Sequence, residues 1–210
     1  MIPPTEADII EAKEQVLVYY FLDLMYIQAF QLFKTNPLNP QEYIDNYFGF
    51  KSFLLEFQVI RNVKTGMLIP LLKSTNNKIK SNNPDNVDEF KEEIRVAEIT
   101  SRNNNMTSLC SKILFLNNPI GIMPFDRNVK TAICYEGNIY NHFLNNIILY
   151  NNEYQVEINN FILSVTEDMQ IIETIFNRKH PDTNLNFLEI RNKRILDKLL
   201  WTIGRRRNQV

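Results

Sequence analysis

The chain has 210 residues, 44% of them apolar, a formal net charge of −1, two cysteines and two histidines. That length fits one domain with a substantial core, and near-neutral charge excludes a global electrostatic pull toward nucleic acid or membrane. With no CxxC pair and only His142 and His180, the usual Cys/His zinc patterns are excluded, so no metal and no cofactor is expected and cysteine usage fits a reduced, cytoplasmic protein.

Helices are expected from end to end, giving an all-α multi-helix bundle. The start, MIPPTEADII, is acidic and lacks the basic-then-apolar layout of a secretory signal. Pro3-Pro4-Thr5-Glu6 reads as a helix start, followed by Ile9, Val16, Tyr20, Leu24, Ile27 and Phe30 at helical spacing. Unbroken apolar runs such as Val16–Leu22 are too short to span a bilayer, so no membrane is expected. After a break at Asn36–Pro40, a second helical region is expected over Gln41–Arg61, with Phe53, Leu54, Phe57 and Ile60 on one stripe. Thr65-Gly66 marks a turn before Met67–Leu72, and the polar stretch Ser74–Asn86 reads as an exposed loop.

Pro84-Asp85 introduces a charged helix through Val96 and Ile99, and Thr107–Leu116 reads as an apolar helix. Asn117-Asn118-Pro119 ends it, and Asp126 opens a further helix expected to reach Tyr135. Gly137-Asn138 is a turn, Ile139–Tyr150 a helix, and Asn151-Asn152-Glu153 another break. The last helix is expected over Asn186–Ile203, closed by Gly204 and followed by a mobile basic tip, Arg205–Arg207. The 28 asparagines fall mainly in the breaks, where they tolerate turn conformations. The whole, residues 1–210, is expected as a single helical domain with room for two lobes, about 1–100 and 101–210.

Charge is uneven. Residues 1–60 hold eight acidic and three basic side chains, whereas 178–210 hold nine basic and three acidic ones. Such asymmetry admits an anionic partner near the C-terminus, or simply a solvated terminal helix. No GxxxxGK[ST], GxSxG, HExxH or GxGxxG pattern is present, which disfavours the common nucleotide hydrolases, esterases, zinc proteases and Rossmann oxidoreductases.

The region 111–135 carries the chemistry. Asp126, beside Arg127 and Lys130, suits either of two uses. It can cap its helix by accepting backbone N–H groups, or present a carboxylate to a developing cation such as a sugar oxocarbenium. Lys112 suits either a packed stem with a solvated head or an amine nucleophile. Trp201 suits a core position or a stacking wall for a base. Arg191, Lys193, Arg194 and Lys198 share the last helix and could face phosphates.

The segment Pro124-Phe125-Asp126-Arg127-Asn128-Val129 resembles the Pro-x-Asp-x-x-Val segment of the helix-hairpin-helix DNA glycosylase superfamily, whose Asp opens a helix and is catalytic. Ser111-Lys112 with its apolar run, and Arg194–Gly204 near the end, resemble uncharacterised bacterial relatives of the 8-oxoguanine glycosylases. The two segments cover about a fifth of the chain. The resemblance implies that superfamily's two-lobed helical fold, DNA as partner, Asp126 and Lys112 as catalytic residues, and Arg127, Lys130, Arg194 and Lys198 as contacts to nucleic acid. The chain departs from the pattern in two places. Ser101-Arg102-Asn103-Asn104-Asn105 stands where the hairpin has Gly-x-Gly, and the family's nucleophilic lysine position falls near Thr107 or Ser108. Two functions follow from different classes: cleavage of an N-glycosidic bond on a flipped nucleoside, or a noncatalytic helical module that binds nucleic acid or a protein.

Overall fold

The computed structural model describes residues 1–36, 39–100 and 106–209, and these are all-α. In chain order the helices are α1 (Glu6–Thr35), α2 (Pro40–Asp45), α3 (Phe50–Glu56), α4 (Leu68–Ile79), α5 (Val87–Val96), α6 (Thr107–Asn117), α7 (Arg127–Ala132), α8 (Tyr140–Glu153), α9 (Gln155–Lys179) and α10 (Phe187–Asn208), with one 3-10 turn at Ile60–Asn62. No strand occurs among the described residues; a single antiparallel bridge joins Val63 and Thr100.

Side chains set the helix starts. At α1, Asp8 accepts the Thr5 N–H at 2.9 Å while Thr5 Oγ1 accepts the Asp8 N–H at 3.3 Å, a reciprocal cap. Asn39, Asn86 and Asn186 cap α2, α5 and α10 with their side-chain oxygens. Three helix ends share another device: Gln58, Glu98 and Cys134 take positive φ (54°, 51° and 52°). Each is followed by a residue whose N–H reaches five residues back, as Val59 to Leu54, Ile99 to Ile94 and Tyr135 to Lys130. These are Schellman closures built without glycine. They stop α3 before Arg61 and α7 at Ala132, short of the expected Tyr135.

Two compact units divide the chain: Met1–Leu24 with Phe125–Val210, and Met25–Pro124. In the first, α10 packs on α7 and α9, and Ala12, Val16, Tyr20, Phe143, Phe161 and Phe176 are buried. Burying one such aromatic ring contributes about 2–3 kcal/mol. In the second, Phe33 stacks on Tyr43 with centroids 4.6 Å apart, Tyr26 meets Phe53 edge-on at 5.5 Å, and α6 is buried from Leu109 to Leu116.

Several sequence expectations need correction. Gln41–Arg61 is three short pieces, because Gly49 turns the chain where a Cβ would overlap the Tyr43 carbonyl oxygen. Ser74–Asn86 is not all loop: α4 runs on to Ile79, with Thr75 and Lys78 buried. Lys78 Nζ lies 2.6 Å from Glu89 and 3.4 Å from Glu93 on α5, so the buried lysine is paired with two carboxylates that themselves reach solvent. α8 continues through Asn151-Asn152-Glu153, and α9 then runs for 25 residues. Its core stripe of Ile158, Phe161, Val165, Met169 and Phe176 was present in the sequence to be read. α10 does not end at Gly204 but includes Arg205–Arg207.

Among the described residues, α1 is the one helix long and apolar enough to cross a membrane by length and composition. Single apolar runs had argued otherwise; one continuous 30-residue helix joins them. Two polar groups of its N-terminal part have protein partners within the first unit: Tyr20 donates to Glu173 at 2.8 Å, and Asp23 accepts from Arg194 at 2.8 Å.

Candidate functional site

Asp126 lies in the first unit, at the point where a loop becomes α7. The buried ring of Phe125 anchors that point, 4.8 Å from Phe143 between centroids. Asp126 itself is extended (φ −116°, ψ 147°), and its Oδ1 accepts the Asn128 N–H at 2.9 Å. It therefore caps α7, and it is half-buried. α7 is fixed in turn by α10: Gly204 lies against the Asn128 carbonyl, and Asn208 Nδ2 donates to Asn128 Oδ1 at 2.9 Å.

α10 also carries a charged cluster, most of it buried. Arg194 is 2% exposed and lies between two carboxylates, with Asp23 at 2.7 Å and Asp197 at 2.7 Å. Burial pushes the Asp197 carboxyl up; Arg194 and Lys198 oppose the shift, while Asp126 and Asp23 add to it. Lys198 Nζ sits 4.2 Å from the Tyr19 ring centroid and 5.8 Å from that of Trp201. Burial lowers its pKa and the Arg194 charge lowers it further, against the pull of Asp23, Asp197 and Asp126. Asp126 thus acts electrostatically on both Asp197 and Lys198. A half-buried carboxylate held in place as a cap can stabilise a developing cation.

The remaining expected residues have other settings. Arg127 is exposed. Lys130 ties down its own loop, donating to the Glu136 carbonyl and to Asn138 Oδ1, both at 3.3 Å, over the Phe125 and Tyr135 rings. Burial lowers its pKa, against Glu136. Arg194 does not present a phosphate contact, because Asp23 and Asp197 enclose its guanidinium. Lys112 belongs to the second unit, where it is 7% exposed and donates to the Phe57 carbonyl at 3.2 Å. Trp201 is half-buried, with the Arg205 guanidinium 4.9 Å from its ring. Ser101–Asn105, at the hairpin-turn position, lies outside the described residues.

Much of the charge asymmetry closes on itself. Arg205 pairs with Glu11, and Arg206 pairs with Asp8 at 3.1 Å and Glu11 at 3.5 Å. Arg191 pairs with buried Glu173 at 3.0 Å. Asp23 and Glu173 escaped the sequence reading, although each is a lone acid inside an apolar helical stripe, a position that calls for a buried partner. Asp197 was also legible, three residues from Arg194 on one helix. Among the described residues, no group of three or more His, Cys, Asp or Glu could hold a metal ion. No family model matches the chain, and no curated protein or solved structure matches it.

Proposed function

We propose that the chain is a DNA base-excision glycosylase-like protein of the helix-hairpin-helix kind, acting on a nucleoside flipped out of the duplex. The observation that carries this reading is the setting of Asp126: a half-buried carboxylate at the start of α7, within electrostatic reach of the Lys198 amine and Asp197. Cleavage of the N-glycosidic bond leaves positive charge on the sugar, and a fixed carboxylate beside C1′ lowers the barrier to it. Flipping is required because that bond is out of reach inside a stacked duplex. Arg127, Lys130 and Lys198 are the basic groups this reading gives to the DNA backbone. The order of the segments supports the same reading, with Ser111-Lys112 before Pro124-Phe125-Asp126 and Arg194–Gly204 closing an all-helical chain.

The test uses duplexes bearing damaged bases, with base release and borohydride trapping followed separately. Asp126→Asn keeps an N-cap of equal quality, so folding stability stays within about 0.5 kcal/mol, while Asp126→Ala costs about 1 kcal/mol. Base release by Asp126→Asn should fall about a hundredfold. A borohydride-trapped adduct would report an amine nucleophile; base release without one would report attack by water. No release from any duplex, together with unchanged DNA affinity in Asp126→Asn, ends the proposal.

A second reading, a noncatalytic helical module for nucleic acid or a protein, is favoured by one observation. Asp126 already serves as the cap of α7, its Oδ1 accepting the Asn128 N–H. It requires binding that survives Asp126→Asn with no base released.

A further inference from the structure

Lys198 is half-buried, and so are the two rings beside it. Its Nζ lies 4.2 Å from the ring centroid of Tyr19 on α1 and 5.8 Å from that of Trp201, one turn further along α10. Among the described residues the amine makes no hydrogen bond and no ion pair. The charges around it are taken up with one another. Arg194, one turn earlier on α10, pairs with Asp23 and Asp197 at 2.7 Å each, and Arg205, one turn beyond Trp201, pairs with Glu11. The contacts left to the amine are ring faces. Removal from water and a neighbouring cation are the two settings that make a lysine nucleophilic. Both lower the pKa of Lys198, burial first and Arg194 second, against the pull of Asp23, Asp197 and Asp126.

We propose that Lys198, between Tyr19 and Trp201, is a carbonyl-reactive site whose amine condenses with a small aldehyde carried on a flat apolar body, giving an iminium ion. The inference does not rest on the glycosylase reading. In the step, the neutral nitrogen adds to the carbonyl carbon and a proton moves from nitrogen to oxygen. Water then leaves with one proton taken from solvent, and the new C=N bond carries the positive charge. Amine, aldehyde and one proton thus become iminium and water. The setting suits that product. An iminium keeps the charge that Asp23, Asp197 and Asp126 attract, whereas acylation would erase it. Its charge is spread over carbon and nitrogen, so burial costs it less than it costs an ammonium. Ring faces attract such a cation, and the same faces stack against a flat body.

The experiment is reductive labelling of the full chain with benzaldehyde and cyanoborohydride at neutral pH, read lysine by lysine through peptide mapping. Lys73 and Lys193, both exposed, are the internal references. Each unit by which an amine's pKa is lowered raises its neutral fraction about tenfold, so Lys198 should be labelled at least about tenfold faster than either. As pH is raised, its rate should level off earlier than theirs. Glyoxylate, an aldehyde with no ring to stack, should show a smaller preference for Lys198. Tyr19→Leu and Trp201→Leu, each checked by circular dichroism for an unchanged helix content, should each cut the benzaldehyde preference severalfold and leave that of glyoxylate. Labelling of Lys198 no faster than the references in the natural protein, or a preference for glyoxylate over benzaldehyde, would overturn the proposal, whatever the outcome of base release from DNA.

Discussion

Gly204 on α10 lies directly against the backbone carbonyl of Asn128 on α7, at a point where a Cβ would overlap the oxygen. It is a mid-helix glycine retained for close approach, despite a helix propensity about 1 kcal/mol poorer than alanine. Gly204→Ala should therefore destabilise although alanine is the better helix former. Overpacking costs typically about 1–3 kcal/mol, and backbone has little room to yield, so the upper part of that range is expected in urea unfolding. Because Asn128 is two residues from Asp126, any glycosylase activity should fall with it. A neutral or stabilised Gly204→Ala protein would contradict the close α7–α10 approach.

Arg194 joins α1 to α10 through a buried triad with Asp23 and Asp197. Arg194→Met would strand two carboxylates inside, and breaking such a group costs about 3–5 kcal/mol. Arg194→Lys should rescue little, since one ammonium cannot replace a planar fork serving two acids. Combining Asp23→Asn and Asp197→Asn with Arg194→Met should recover part of the loss. Chemical unfolding of the four proteins reads this directly. Any change in DNA affinity in Arg194→Met should track the unfolded fraction rather than the salt dependence expected of a lost phosphate contact.

At Gln58 and Cys134 a side chain occupies the left-handed position that closes a helix. L-residues pay about 1–2 kcal/mol there that glycine avoids, less glycine's greater freedom in the unfolded chain. Gln58→Gly and Cys134→Gly are each expected to raise stability by a net of about 0.5 kcal/mol, and together to add, because they lie in different units. A fall in thermal midpoint for both would mean that these side chains contribute more than their backbone conformation costs.

These helix ends also explain what the sequence conceals. The starts of α1, α5, α7 and α10 were legible because Thr5, Asn86, Asp126 and Asn186 act on backbone within three residues. Ends closed without glycine carry no such mark. Lys78 looked like loop because its glutamates stand on another helix, and Arg205–Arg207 looked like a free tip because Asp8 and Glu11 lie at the other end of the chain. Gly204 looked like a stop because nothing local announces the Asn128 carbonyl. At the site, Asp126 was readable as a cap; that Lys198 and Asp197 share its field depends on how α7 docks on α10.

Lys198 gives the site a measurable pH signature. Its amine is held below the ordinary lysine pKa of 10.5, first by burial and then by Arg194. Between the lowered folded value and the unfolded one, the unfolded chain binds more protons than the folded one. Stability contributed by this group therefore rises with pH across that window. Lys198→Met removes the titration. Relative to the natural protein the variant should be favoured most on the acid side of the lowered pKa, and its advantage should shrink as pH climbs toward 10.5. Buried Tyr20, Tyr43 and Tyr150 have raised pKa values and act in the opposite sense at alkaline pH. They are common to both proteins and cancel in the difference. Urea midpoints for the pair from neutral to alkaline pH give that difference; a flat one would mean that Lys198 keeps the protonation of a solvated lysine and that its place between Tyr19, Trp201 and the acids does not tune it.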